Sequence, residues 1–329
     1  MFEFIINNLL DGLASAGEKH RRQSCFSIPH MLTIFTIIHP LVDACSVAVL
    51  VAGGMTWERV LAYNAMAFAL QLPFGIMMDD FPRLNRIGFF VGTWLAFSAA
   101  VLAGLGIGGW WILAAACVGN ALFHLTAGKH LLGAHNGRGG PIGLFISTGA
   151  LGLMGGQIAA KRIATLSLWG FAVALAICVA IAAWQWRGRE KIFAPSKSPG
   201  PAAENRSALT RFLPLVILAG LFVLIAWRSW AGLFASGRSA GGAAMLMIAG
   251  AGVTLAGKVA GGYIAERIGR WKVTAISVAG SALLAFVCEP DKIAAWFVLL
   301  FVAQLATGPV LSLVFDHTER RGGTSFGIN

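Results

Sequence analysis

The strongest constraint on this chain is a succession of apolar windows, each about as long as a helix that crosses a bilayer. Ten of them run at Met31–Gly53, Trp57–Met78, Ile87–Gly106, Trp110–Gly128, Gly140–Ala160, Ile163–Trp186, Phe212–Phe234, Ala240–Ile264, Val273–Cys288 and Ile293–Phe315. About 20 apolar residues span the hydrocarbon as a helix, which satisfies every backbone polar group internally. The uninterrupted stretch from Ile87 to Gly128 has to be two helices, because Gly106, Gly108 and Gly109 break it. With 57% hydrophobic and only 12% charged residues, 329 residues carry too little polar surface to cover a soluble fold. The same numbers exclude a disordered chain and a collagen-like repeat. The expected fold class is an all-α polytopic membrane protein with about ten transmembrane helices.

The net charge of +11 suggests nucleic acid until the charges are placed. They fall in short loops between the windows, where Lys and Arg set membrane orientation. When the loops are assigned to alternating sides, eighteen basic residues fall on one and five on the other (Arg59, Lys161, Arg162, Arg238 and Lys292). Arg228 and Lys258 stay inside windows. The N-terminus is therefore expected in the cytoplasm, and an even number of spans returns the C-terminus there. The five cysteines (25, 45, 117, 178 and 288) show no Cys-x-x-Cys or Cys/His spacing, so they read as small buried hydrophobes.

Residues 1–30 lack the basic start of a secretory signal. Phe2, Ile5, Ile6, Leu9, Leu10 and Leu13 share one helical side, and Lys19, Arg21 and Arg22 follow, as in an interfacial amphipathic helix. The one long polar connection, 187–211, separates a six-helix bundle at 31–186 from a four-helix bundle at 212–329, whose last residues, Gly322–Asn329, look like the start of an eleventh helix.

The division into bundles is matched by an internal repeat. Gly75, Asp79, Asp80, Arg83 and Arg86 lie at and just beyond the end of the second window. Gly262, Glu266, Arg267, Gly269, Arg270 and Lys272 lie in the same way at the end of the eighth, and the two leading glycines are 187 residues apart. Both read Gly-x-x-x-acid and then basic residues. This resembles the signature loop of the major facilitator superfamily (MFS), although Asp80 replaces a usual basic residue and Pro82 is inserted in the first copy. The resemblance implies two pseudo-symmetric bundles around a central cavity, working by alternating access. Each acid would face the dipole of a neighbouring helix, with the arginines binding partners across the cytoplasmic seam. The short second half departs from six helices per bundle, so a monomer is expected unless a partner completes that half. His39-Pro-Leu-Val-Asp43, Gly119-Asn120 through His124, and the Gly/Ser pattern from Arg138 to Gly156 are also similar to the fosmidomycin-resistance-type branch of MFS exporters.

Ionisable side chains inside a membrane usually face a cavity or a partner. Asp43 is the one acid near the middle of a window, and His39 lies on the same helical face. Asn120 and His124 repeat the four-residue spacing in the fourth window. Asp43 is expected to carry a coupling proton tuned by His39 or His124, or else to pin two helices by a structural hydrogen bond. Arg228 maps close to Asp43 through the repeat and would hold an anionic substrate or snorkel outward. Asn120, Gln71, Gln157 and Gln304 are candidates for substrate binding, and inter-helix hydrogen bonds explain them equally well. Lys258, one turn before the second signature loop, is expected to snorkel towards the cytoplasmic surface. Gly149, Gly152, Gly155, Gly156, Gly250, Gly257 and Gly261 read as close helix contacts.

The expected function is a proton-coupled secondary transporter moving a small organic solute across the inner (plasma) membrane, with export the direction that the branch resemblance implies. One alternative is a transition-metal transporter using His39, Asp43 and His124; another is a membrane scaffold or sensor. No nucleophile–base pair or phosphate-binding loop points to an enzyme, and no cofactor or resident metal is expected.

Overall fold

The structure, a computed structural model, describes residues 27–185, 219–220, 223, 244–287, 292–318 and 320–328. The N-terminal segment up to residue 26, the connector, Arg228 and nearly all of the seventh window lie outside the described residues. Nine described helices are long and apolar enough to cross a membrane. They are α1 (Ser27–Ala52), α2 (Trp57–Asp80), α3 (Leu84–Gly104), α4 (Trp110–Ala134), α5 (Gly139–Ile163), α6 (Thr165–Trp184), α7 (Ala244–Ile268), α8 (Arg270–Val287) and α9 (Ile293–His317). A short α10, Gly322–Ile328, follows where the sequence suggested another helix beginning.

The breaks have local causes. Gly106 and Gly109 adopt φ of 80° and 124° between α3 and α4, a region that favours glycine. Gly269, at φ 102°, ends α7 in the same way. Ile163 leaves helical geometry (φ −141°, ψ 61°) and separates α5 from α6. The second span contains a π-helical turn, Ala65–Ala69, before Gln71–Asp80. The ninth is two helices, Ile293–Gln304 and Thr307–His317, joined at 305–306.

The outside is apolar and the polar groups are inside, as lipid requires. Phe286, Trp184 and Met245 are at least 80% exposed, whereas His39, Asp43, Asn120, Thr126 and Ser147 are buried. α1 is largely buried and packs on α3, α4 and α5. Small residues let these helices close on one another. A Cβ on Gly92 would meet the backbone of Phe123 and Gly119, and one on Gly119 would meet Ala96 and Gly92, so α3 and α4 cross at backbone distance. Gly152 and Gly156 seat α5 against Pro40 and Ala44 of α1, while Gly257 and Gly261 seat α7 on Phe301 and Leu305 of α9. Gly155 has open space beside it and makes no such contact.

α7 packs along the first part of α5, and α10 packs on α2 and α4. The resulting contacts across the molecule fall near the loops that carry the signature acids, here called the basic face.

Candidate functional site

Two residue groups stand out, one buried within α1, α4 and α5 and one on the basic face. Pro40 sits within an unbroken α1, and the four-residue spacing on either side of it puts the His39 and Asp43 side chains together. On α4, Asn120 and His124 do the same. Asn120 Nδ2 donates to Asp43 Oδ1 at 2.7 Å. His39 Nε2 lies 3.3 Å from Asp43 Oδ2, and His124 Nε2 lies 3.5 Å from Oδ1. The third wall is α5, where Gly149 makes room: a Cβ there would lie 2.5 Å from Asp43 Oδ2 and 2.7 Å from His39 Nε2.

The ring nitrogens can be assigned from their partners. His39 Nδ1 is 2.7 Å from the Phe145 carbonyl, and His124 Nδ1 is 2.9 Å from the Asn120 carbonyl. A carbonyl only accepts, so both Nδ1 atoms donate. With neutral rings, both Nε2 atoms then present lone pairs, and they face each other at 2.5 Å beside a carboxylate. Three electron-rich groups converge on one point, and a positive charge among them is what their geometry calls for. A proton or a metal ion satisfies it. Phe145 stacks on His39 at 4.6 Å between ring centres, and Phe123 borders both imidazoles, so the cluster is walled by aromatic rings. The His124 side chain is 11% exposed against 2% for His39, which makes His124 the side of approach.

On the basic face, Asp79 at the end of α2 accepts from the Gly323 and Thr324 backbone N–H groups at 2.9 and 2.7 Å and from Thr324 Oγ1 at 2.8 Å. Lys129 lies 3.0 Å and Arg321 3.8 Å away, and Arg321 also pairs with Asp80. Glu266 at the end of α7 accepts from Gly140 N at 2.9 Å and from Arg138 at 2.6 Å. Each acid thus neutralises N–H groups at the start of a helix from the other part of the chain, α10 for Asp79 and α5 for Glu266. The Glu266 carboxylate raises the Arg138 pKa above the ordinary guanidinium value, first by hydrogen bonding and then by its charge. Backbone contact is equally close, since a Cβ on Gly75 would collide with Gly323 and one on Gly262 with Gly139.

No protein-family model matches the sequence, and no curated protein does. Solved structures do match. The chain is similar to the MFS transporter FucP in the outward conformation, with TM-score 0.63 and 14% identity over 93% of this chain and 89% of that one. It is also similar to a variant of the E. coli fucose:proton symporter FucP, with TM-score 0.58 and 12% identity over 93% and 88%. The chain has the fold of the major facilitator superfamily.

Within this MFS fold, the expected residues divide. His39, Asp43, His124 and Asn120 come together, with Asn120 acting as the hydrogen-bond donor that orients Asp43. The three glutamines lie apart from them. Gln71 donates to Ala67 O at 2.8 Å in its own helix, Gln304 accepts from Thr307 at 3.2 Å, and Gln157 lies beside Met55. The glycines and acids of the two loops sit at the seam, where the acids meet other cations than those of the loops. Arg270 pairs with Asp316 between α8 and α9. Among the described residues, the ion pairs to Asp79 and Glu266 use Lys129, Arg138 and Arg321 rather than Arg83, Arg86, Arg267 or Lys272. The loop arginines follow their helix ends outward, whereas Arg138 and Arg321 immediately precede the helices being capped.

A sequence signal for those partners exists. Arg138-Gly139-Gly140 and Arg321-Gly322-Gly323 are a second repeat, 183 residues apart, complementary to the first. The expected outward snorkelling of Lys258 is also corrected. Its Nζ donates to Ile146 O of α5 at 3.4 Å and lies within electrostatic reach of His124. A Cβ on Gly143 would lie 2.5 Å from the Lys258 carbonyl, and this close packing of α7 on α5 leaves the side chain an inward path along α5.

Proposed function

We propose that this chain is a secondary active transporter that works by alternating access, with α1–α6 and the helices after the connector rocking against each other. The reading is carried by the reciprocity of the seam: an acid from each part caps a helix of the other, with an Arg-Gly-Gly segment completing each contact. A contact built twice at equivalent places closes one face symmetrically and opens only when the two parts move. The basic face is the cytoplasmic one by the charge bias, with the N-terminus on that side and the chain in the plasma (inner) membrane.

The coupling cation binds at His39, Asp43 and His124, near the middle of the spans and about 14 Å along α1 from its Ala52 end by helical rise. A proton held between the two Nε2 atoms is one such cation, with the Asp43 carboxylate beside it to balance the charge. FucP is a fucose:proton symporter, so proton-coupled transport is compatible with the fold. Of the two substrate classes open from the sequence, the organic anion rests on Arg228, outside the described residues. The cation alternative rests on the cluster.

The test is purified protein in proteoliposomes containing a pH-sensitive dye, with an imposed pH gradient and a panel of small solutes and metal salts. Solute-dependent proton flux is expected, and Asp43→Asn should abolish it. Undiminished gradient-driven flux in Asp43→Asn removes the coupling role, and an absence of solute movement under either gradient removes the transporter reading.

A further inference from the structure

The same cluster suits more than a proton, and the assignment of a second cation to it rests on the transporter reading. We infer that His39 Nε2, His124 Nε2 and an Asp43 carboxylate oxygen bind a divalent transition-metal cation of the zinc, manganese, iron or cobalt type as the transported substrate. The ligand set is two imidazoles and one carboxylate, which suits borderline cations and disfavours magnesium, calcium and sodium, whose sites are built of oxygen. Both imidazoles are already in the required tautomer. Each donates its Nδ1–H to a backbone carbonyl and aims Nε2 inward, the outer hydrogen bond that orients a ligating histidine. Asn120 holds the carboxylate in the same manner.

The spacing fits as well. Ligands about 2.0–2.1 Å from a common ion stand roughly 2.9–3.4 Å from each other. The two nitrogen-to-oxygen distances are 3.3 and 3.5 Å, and the 2.5 Å between nitrogens has to open by less than about 1 Å. His124 has the exposure to turn that far. Three protein ligands leave a coordination position open, unlike the closed four-ligand sites that hold structural ions, and an open position suits a cation that must enter and leave. Lys258 Nζ, on the Ile146 carbonyl of α5, lies within electrostatic reach of His124, and its charge opposes an incoming cation. It gives a variant that should strengthen binding.

The experiment titrates the full-length protein in detergent with Zn2+ by calorimetry and with Co2+ by visible absorption, which reports nitrogen and oxygen ligation. One ion per chain is expected, with Co2+ bands displaced by Zn2+. His39→Ala and His124→Ala should each weaken binding at least tenfold, Lys258→Gln should tighten it severalfold, and His317→Ala, at the far end of α9, should leave it unchanged. A Zn2+-dependent rise in the melting temperature of wild type, absent in His39→Ala/His124→Ala, covers the case in which a single variant folds poorly.

Zn2+ flux into chelator-loaded proteoliposomes completes the inference. If Zn2+ binds wild type no better than the double-histidine variant while another solute moves with the pH gradient, the metal assignment is overturned and the transporter reading stands. If Zn2+ binds at the cluster but does not cross the bilayer, its role as substrate is overturned.

Discussion

At the scale of single residues, burial of a carboxylate governs the cluster. Asp43 is 4% exposed, and such a group is tolerated only when hydrogen bonds and positive charge surround it. Removing the Asn120 amide strips one of these. Asn120→Ala should lower the stability of the purified protein by about 2 kcal/mol, the usual range for a hydrogen bond to a charged group, measured by thermal or denaturant unfolding in detergent. Gly149→Val should be worse than its hydrophobicity suggests, because its side chain would enter the space of Asp43 and His39. The expected outcome is loss of cation binding with the protein still folded, read by titration beside a melting curve. A third residue prediction concerns His135, just beyond α4 on the basic face. Burial first, then Arg138, lowers its pKa from 6.5, with Glu266 opposing, and its Nε2 has no hydrogen-bond partner among the described residues. The folded state therefore binds fewer protons than the unfolded one, so its stability is full above about 6.5 and declines as pH falls below it. Melting temperature should drop on acidification from pH 7 to 5, and His135→Gln should flatten that drop.

At the scale of elements, the seam is two acid-to-helix contacts made by α2 and α7. Asp79 is the stronger, because its side chain is 7% exposed against 20% for Glu266, and Arg138, the partner of Glu266, is 63% exposed and screened by solvent. Asp79→Asn should shift the balance away from the closed basic face by about tenfold, and Glu266→Gln by less. Labelling of a cysteine placed at the seam, in an otherwise cysteine-free background, measures this. Equal effects from both variants would contradict the exposure argument. The elements themselves could be read along the chain with little error: nine windows match nine described spans, and Gly106, Gly109 and Gly269 mark breaks between helices where their conformations demand it. Local backbone chemistry decides these points. The Gly-x-x-x-acid loops did not disclose which cation meets which acid: Arg83 and Arg267 adjoin the acids in sequence, whereas Arg321 and Arg138 meet them only after folding and are marked in the sequence only by the separate Arg-Gly-Gly repeat.

At the scale of the whole molecule, the windows and the charge bias determine by themselves that this is an all-helical, polytopic membrane chain, while the repeated Gly-x-x-x-acid loops carry only the resemblance to the MFS, whose fold the structure has. Each of those signals depends on periodicity, on composition within one helix length, or on the cost of placing charge in lipid, and all three are properties of local sequence. The tertiary structure alone decided that Asn120 serves Asp43, that Lys258 turns inward, and that two imidazoles 85 residues apart point their Nε2 atoms at one carboxylate. Those outcomes depend on the rotation of each helix about its axis and on how near glycines such as Gly149 and Gly143 let neighbours come. Such angles and distances are settled by packing among all the helices together, which no single stretch of sequence contains.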